Sequence, residues 1–197
     1  PTEDISILNQ LTHGSPKLTA EKGSDLADGI NSTLQKALKI NLDPDKYGTI
    51  AEIGAGQEIA RFFFQAGGAA GTLAKTMSAY DMQFSDAIYG EEQHGRYVSR
   101  SRLEKMLDKE FTLLGERIQD GSSKNRCFFA IADTVKAAGY KTQGQCHGWI
   151  GIRLQLYPQA PPSDIILHVR LLDKANHVGY GVCHQIPIRS PFFGGRQ

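Results

Sequence analysis

At 197 residues, with 40% apolar and 22% charged residues, the chain can bury a substantial core and is neither disordered nor fibrous in composition. It contains no apolar run of about 18 residues, the length of a membrane-spanning helix, and its net charge of +1 excludes a grossly basic nucleic-acid binder. The charge is uneven: residues 1–45 sum to −3, residues 46–120 to −2 and residues 121–197 to +6, so the last third offers a basic surface to an anionic partner.

Residues 1–23 show neither helical nor strand periodicity and read as an irregular arm. A single α+β domain is expected over 24–188, followed by a tail at 189–197. Ser24 reads as the N-cap of a helix reaching about Lys39, with Leu26, Ile30, Leu34 and Leu38 along one line. Asn41 to Asp45, with Pro44, then reads as a turn. From Glu58 to about Tyr80 the text is helix-like but soft: the small residues at 67 and 71 leave a bare helix face or a break where another backbone approaches closely, and the cost of adjacent glycines inside a helix favours the break. Ser101 and Glu104 form a capping-box pattern. Leu103, Leu107, Phe111, Leu114 and Ile118 mark the buried face of the helix that follows, and Gly121 stops it.

After residue 125 the pattern changes to extended runs: Cys127–Val135, His147–Tyr157, Asp164–Asp173 and Val178–Ile188. The connections Pro158–Ser163 and Lys174–His177 are short enough for antiparallel hairpins. Helices first and strands afterwards predict an α+β fold, with N-terminal helices packed on a mostly antiparallel sheet of about four C-terminal strands.

Three cysteines, Cys127, Cys146 and Cys183, are too few and odd in number for a disulfide framework. A reducing compartment is expected, either an organelle (plastid or mitochondrion) or a bacterial cytoplasm. The stretches NLDPDKYGTIAEIGAGQEIARFFFQAGGAAGTLAKTMSAYDMQFSDAIYG, RYVSRSRLEKMLDKEFTLL, CHGWIGIRLQ and PSDIILHVRLLDK resemble an uncharacterised family of bacterial and cyanobacterial proteins, over about Ala37 to Lys174. Labels attached to that family include "TonB-dependent receptor" and "nicotinate-nucleotide adenylyltransferase". The residues fit neither: the chain is too short for an outer-membrane barrel and lacks the paired histidines of nucleotidyl transfer. The resemblance implies a conserved domain and brings no activity with it.

Two constellations carry candidate chemistry. Ile50-Ala-Glu52-Ile-Gly54-Ala-Gly56 matches the strand-to-glycine turn of cofactor-binding folds, in which Gly54 and Gly56 let a ligand approach the backbone. Gln57 and Glu58 stand where a third glycine belongs, and the following residues read as helical rather than as a second parallel strand. The other constellation is a polar stripe. His147, Trp149, Gly151 and Arg153 share one strand face, and Ile166, His168, Arg170 and Leu172 share another. If the two strands pair, Arg153, His168 and Arg170 converge on a phosphate or carboxylate; a solvated sheet face gives the same pattern. Asp133 offers an ion-pair partner to one of these arginines.

Other chemistry finds weaker footing. Cys146-His147 and Cys183-His184 lack metal-ligand spacing, so no metal and no cofactor are expected. A nucleophilic Cys146 with His147 and Asp133 or Asn176 has no supporting motif. Glu91 and Glu92 read as solvated surface. The aromatic residues Phe128, Phe129, Trp149, Tyr157 and Tyr180 accompany the basic third, but no nucleic-acid motif organises them. Two functions therefore stand from the sequence. One is a non-catalytic accessory or binding subunit with protein partners in a larger assembly. The other is an enzyme or small-molecule binder holding a phosphorylated or carboxylated ligand on a basic sheet face through Arg153, His168 and Arg170, with Gly54 and Gly56 nearby.

Overall fold

A computed structural model describes residues 33–92, 95–117, 125–137 and 146–171, all within one unit, Asn31–Gln197. These residues form α1 (Thr33–Asn41), β1 (Lys46–Gly54), α2 (Ile59–Ala66), β2 (Leu73–Ala79), α3 (Met82–Tyr89), α4 (Arg100–Arg117), β3 (Cys127–Lys136), β4 (His147–Leu154) and β5 (Ser163–Arg170). The strand order is β2-β1-β3-β4-β5. β1 runs parallel to both β2 and β3, whereas β3–β4 and β4–β5 are antiparallel. The α+β class holds, and the three strands expected over 127–173 are present, each antiparallel to its neighbour. The expected fourth, Val178–Ile188, lies outside the described residues.

The sheet is mixed because two strands precede the three expected ones. Residues 73–79, read as helical from the sequence, form β2, paired with β1 from Gly48↔Leu73 to Ile53↔Ala79. The second parallel strand that the glycine turn required therefore exists. The helix before it does stop at the glycine pair, where Gly67 and Gly68 take φ of +81° and +72°. A side chain at either position would be strained, whereas glycine adopts these angles and lets the chain turn back towards the sheet.

Helices cover both faces of the sheet. Ile50 and Ile131 meet α1 and α2 through Ala37, Ala60 and Phe63. On the other face, Ala51, Ile53, Ala130 and Ala132 meet α3 and α4 through Tyr89, Leu103, Met106 and Leu107. The small β-strand alanines allow the α4 side chains to sit directly on the sheet, and burying Leu103, Met106 and Leu107 contributes about 2 kcal/mol each.

Local details correct three expectations. Within the described part of the first helix, Leu34 and Leu38 are exposed at 42% and 37%. The inward face carries Ala37 and Asn41 instead. Asn41 Nδ2 donates to the carbonyls of Phe63 (2.8 Å) and Gly67 (2.7 Å), so α1 docks on α2 through a small residue and an amide rather than a leucine ridge. Leu26 and Ile30 lie outside the described residues. The cap of α4 is Ser99, whose Oγ accepts from the Arg102 N–H at 3.1 Å. Ser101 is already inside the helix, and Glu104 pairs with Arg100 at 2.8 Å. Glu92 is not solvated surface: its side chain is 5% exposed and bonds Lys105 at 2.9 Å and Arg102 at 3.4 Å. The expected buried face of α4 is otherwise as read, with Leu103, Leu107 and Leu114 buried; Ile118 and Gly121 lie outside the described residues.

Candidate functional site

The chain leaves β1 to build β2 on one side, then crosses back to build β3 on the other. That reversal opens a crevice beyond the carboxyl ends of the parallel strands, where open α/β sheets bind ligands. Here the crevice has a volume of about 660 Å³ and is walled by Ile53, Gly54, Ala55 and Gln57 at the end of β1, by Tyr80, Asp81, Met82 and Ser85 around α3, and by Thr134 to Ala137 at the end of β3.

The β1 turn is glycine for steric reasons. Gly54 takes φ of +84°, and a Cβ there would lie 2.3 Å from the Val135 carbonyl oxygen. At Gly56 a Cβ would lie 2.6 Å from Val135 Cγ2 and 2.9 Å from Asp133 Oδ1. Gln57 Nε2 closes the turn onto the Gly54 carbonyl at 3.0 Å. The first turn of α2 is not an open anion site. Glu52 reaches into it and accepts from the N–H groups of Ile59 (2.7 Å) and Ala60 (3.4 Å), occupying the donors that a ligand phosphate would need.

The α3 wall is different. Asp81 caps the helix by accepting from Phe84 N–H at 2.9 Å. One turn in, Ser85 is 1% exposed, and among the described residues its Oγ has no hydrogen-bond partner. A segment leading into α4 completes this side. Tyr97 bonds Asp86 through its hydroxyl at 2.6 Å, and its carbonyl accepts from Thr134 Oγ1 at 2.8 Å. Hydrogen bonding to Asp86 raises the Tyr97 pKa above its ordinary value. Beneath them Arg102, fully buried, bonds Asp86 at 2.8 Å and lies under the Tyr97 ring at 5.1 Å.

The structure divides the predicted stripe. β4 and β5 pair as the sequence required, with Trp149↔His168 and His147↔Arg170 in register. Their upper ends meet Lys136 of β3, which faces His147 and also walls the crevice. Lys136, His147, His168 and Arg170 therefore gather at the crevice end of the sheet, on the α3–α4 face. The two imidazoles touch, Nδ1 of His147 to Nε2 of His168, at 3.4 Å. Trp149 stacks on His168 with ring centroids 4.5 Å apart. Burial, then the neighbouring His168, Lys136 and Arg170, lower the His147 pKa.

Arg153 is at the other end, six residues away along β4, or roughly 20 Å. Its guanidinium bonds Asp164 through two nitrogens at 2.8 Å each and Asp108 at 2.7 Å. Those aspartates hold its charge and raise its pKa. Asp133 does not serve either arginine. It projects to the opposite face of the sheet, beside Glu52, where burial and then the Glu52 charge push its pKa well above the usual carboxylate range. Sequence reasoning missed Ser85, Thr134 and Lys136: Thr134 and Lys136 stand at the end of the strand expected over Cys127–Val135, whereas Ser85 is in the helix that follows β2, a strand read as helical. Among the described residues no group of three or more metal-ligating side chains is present, and no helix is long and apolar enough to cross a membrane.

No protein-family model matches the chain, and no curated protein matches it. Solved structures do. A competence-damaged protein (CinA) superfamily protein from Enterobacter cloacae aligns over 84% of this chain and 94% of its own, with a TM-score of 0.57 and 13% identity. A CinA superfamily protein from Klebsiella pneumoniae aligns over 78% of this chain and 91% of its own, with a TM-score of 0.53 and 15% identity. At these identities the likeness is one of fold, and it spans nearly the whole of both relatives.

Proposed function

We propose that this chain is a ligand-binding domain that holds a phosphorylated or carboxylated small molecule in the crevice beyond β1, β2 and β3. The observation that carries this reading is the Ser85 hydroxyl, buried in the crevice wall and without a partner among the described residues. Buried polar groups in folded proteins are nearly always satisfied, so an orphan on a residue that lines an open crevice is one a ligand would complete. The ligand's charge follows from the opposite wall, where Lys136 stands with Arg170, His147 and His168 behind it. Among the described residues neither Lys136 nor Arg170 has a carboxylate partner, whereas Arg153 has two.

The names of the CinA relatives refer to competence and damage and name no ligand, so the reading stands on this chain's own residues. The accessory-subunit expectation draws no support from the fold or from these relatives. The test is a titration of isotopically labelled protein with inorganic phosphate, followed by amide chemical shifts. Saturable shifts are expected at Gly54, Ala55, Lys136 and Ala137. Shifts scattered over the surface, or none, overturn the reading.

A further inference from the structure

We infer that the anion binds together with a proton, which is taken up by the His147–His168 pair at the edge of the crevice. This deepens the anion-binding reading above and rests on it. Two imidazole nitrogens 3.4 Å apart share one hydrogen, so one must donate while the other accepts. A pair carrying a single extra proton keeps that bond, since an imidazolium N–H donates to a neutral ring. A second proton would set two N–H groups against each other and break it. The pair therefore has one proton to gain within its present geometry. Trp149 stacked on His168 fixes the ring that takes part.

The surroundings decide when the proton arrives. On β3, Lys136 stands opposite His147; on β5, Arg170 does. On α4, whose Leu103 and Leu107 pack over Gly151, the charged residues of the first turn are Arg100, Arg102 and Glu104; Arg100 and Glu104 bond each other at 2.8 Å, and Arg102 pairs with Asp86 and Glu92. Trp149, between the two histidines, is neutral. Among the described residues the charges that act on His147 are positive, and with burial they disfavour its protonation. An anion beside Lys136 offsets this positive field at the pair and so favours the proton. By linkage, the factor by which the anion favours the proton is the factor by which the proton favours the anion.

Sulfate is a suitable probe because its own charge does not change between about pH 5 and 8. Imidazole resonances would be titrated in sulfate and in chloride at equal ionic strength, and crevice amides would report sulfate affinity. One imidazole pKa is expected to rise by about one unit in sulfate, with sulfate binding about tenfold tighter at low pH than at high pH. His147→Gln and His168→Gln should each remove this pH dependence, with unchanged amide spectra elsewhere showing that the fold is kept. Sulfate shifts at Gly54 and Ala55 that are equal at both pH values, with unmoved imidazole pKa values, overturn the coupling and leave the crevice reading intact. An absence of crevice shifts at any pH overturns both.

Discussion

Glu52 and Asp133 sit side by side in register on neighbouring parallel strands, 3% and 2% exposed, yet only Glu52 has both carboxylate oxygens occupied. Glu52 accepts from the first turn of α2, while Asp133 Oδ1 has no partner among the described residues. The pair sits directly under the Gly54–Gln57 turn, so its charge state bears on the wall of the crevice.

Burial, then the charge of Glu52, raises the folded-state pKa of Asp133. Folding therefore takes up a proton, and this contribution is fully present below the ordinary carboxyl pKa of about 4 and is lost as pH rises. Asp133→Asn removes the titration. The variant should gain on the wild type as pH rises, reaching about 1–3 kcal/mol by pH 8. Urea unfolding of both proteins at pH 5 and pH 8 measures it, and a difference independent of pH would show that Asp133 is ionised in the fold.

Ser85→Ala should stabilise the unliganded protein by up to about 1 kcal/mol, because it deletes an unsatisfied hydroxyl without opening much space. The same change should weaken inorganic phosphate binding. Thermal unfolding with and without phosphate separates the two effects; a destabilised empty protein would mean that the hydroxyl already has a partner.

Arg102 joins α3, the Glu92 segment and α4 from a position with no exposure at all. Arg102→Met strands Asp86 and Glu92 and should cost about 3 kcal/mol. Arg102→Lys should recover little, since an ammonium cannot reproduce the planar fork beneath Tyr97. Denaturant unfolding gives the cost, and amide shifts at Tyr97 and Val98 report loosening of the crevice wall. Full rescue by lysine would reduce the role of Arg102 to charge alone.

Arg153→Ala should lower stability by about 1 kcal/mol through loss of a partly exposed, two-nitrogen ion pair. Phosphate binding should be unchanged, while Lys136→Ala should weaken it severalfold. Calorimetric titration of both variants with phosphate tests this contrast. Equal losses in the two would place the anion along the whole stripe rather than at its upper end.

The mid-chain glycine turn, the amphipathic line of α4 and the alternation in β3, β4 and β5 were legible in the sequence because each depends on residues a few positions apart. Alternation put His168 and Arg170 on one face, and the pairing of β4 with β5 kept them there. The strand over residues 73–79 was not legible. LAKTMSA carries little apolar alternation, and what holds it extended is hydrogen bonding to β1, more than twenty residues earlier in the chain. Whether Glu92 is solvated, which serine caps α4 and where Arg153 spends its charge were decided in the same way, by partners that only the folded chain brings near. The sequence by itself determined the α+β class and most of the basic cluster. The crevice exists because β3 was laid on the far side of β1 from β2, and strand order is a property of long-range pairing that no local pattern encodes.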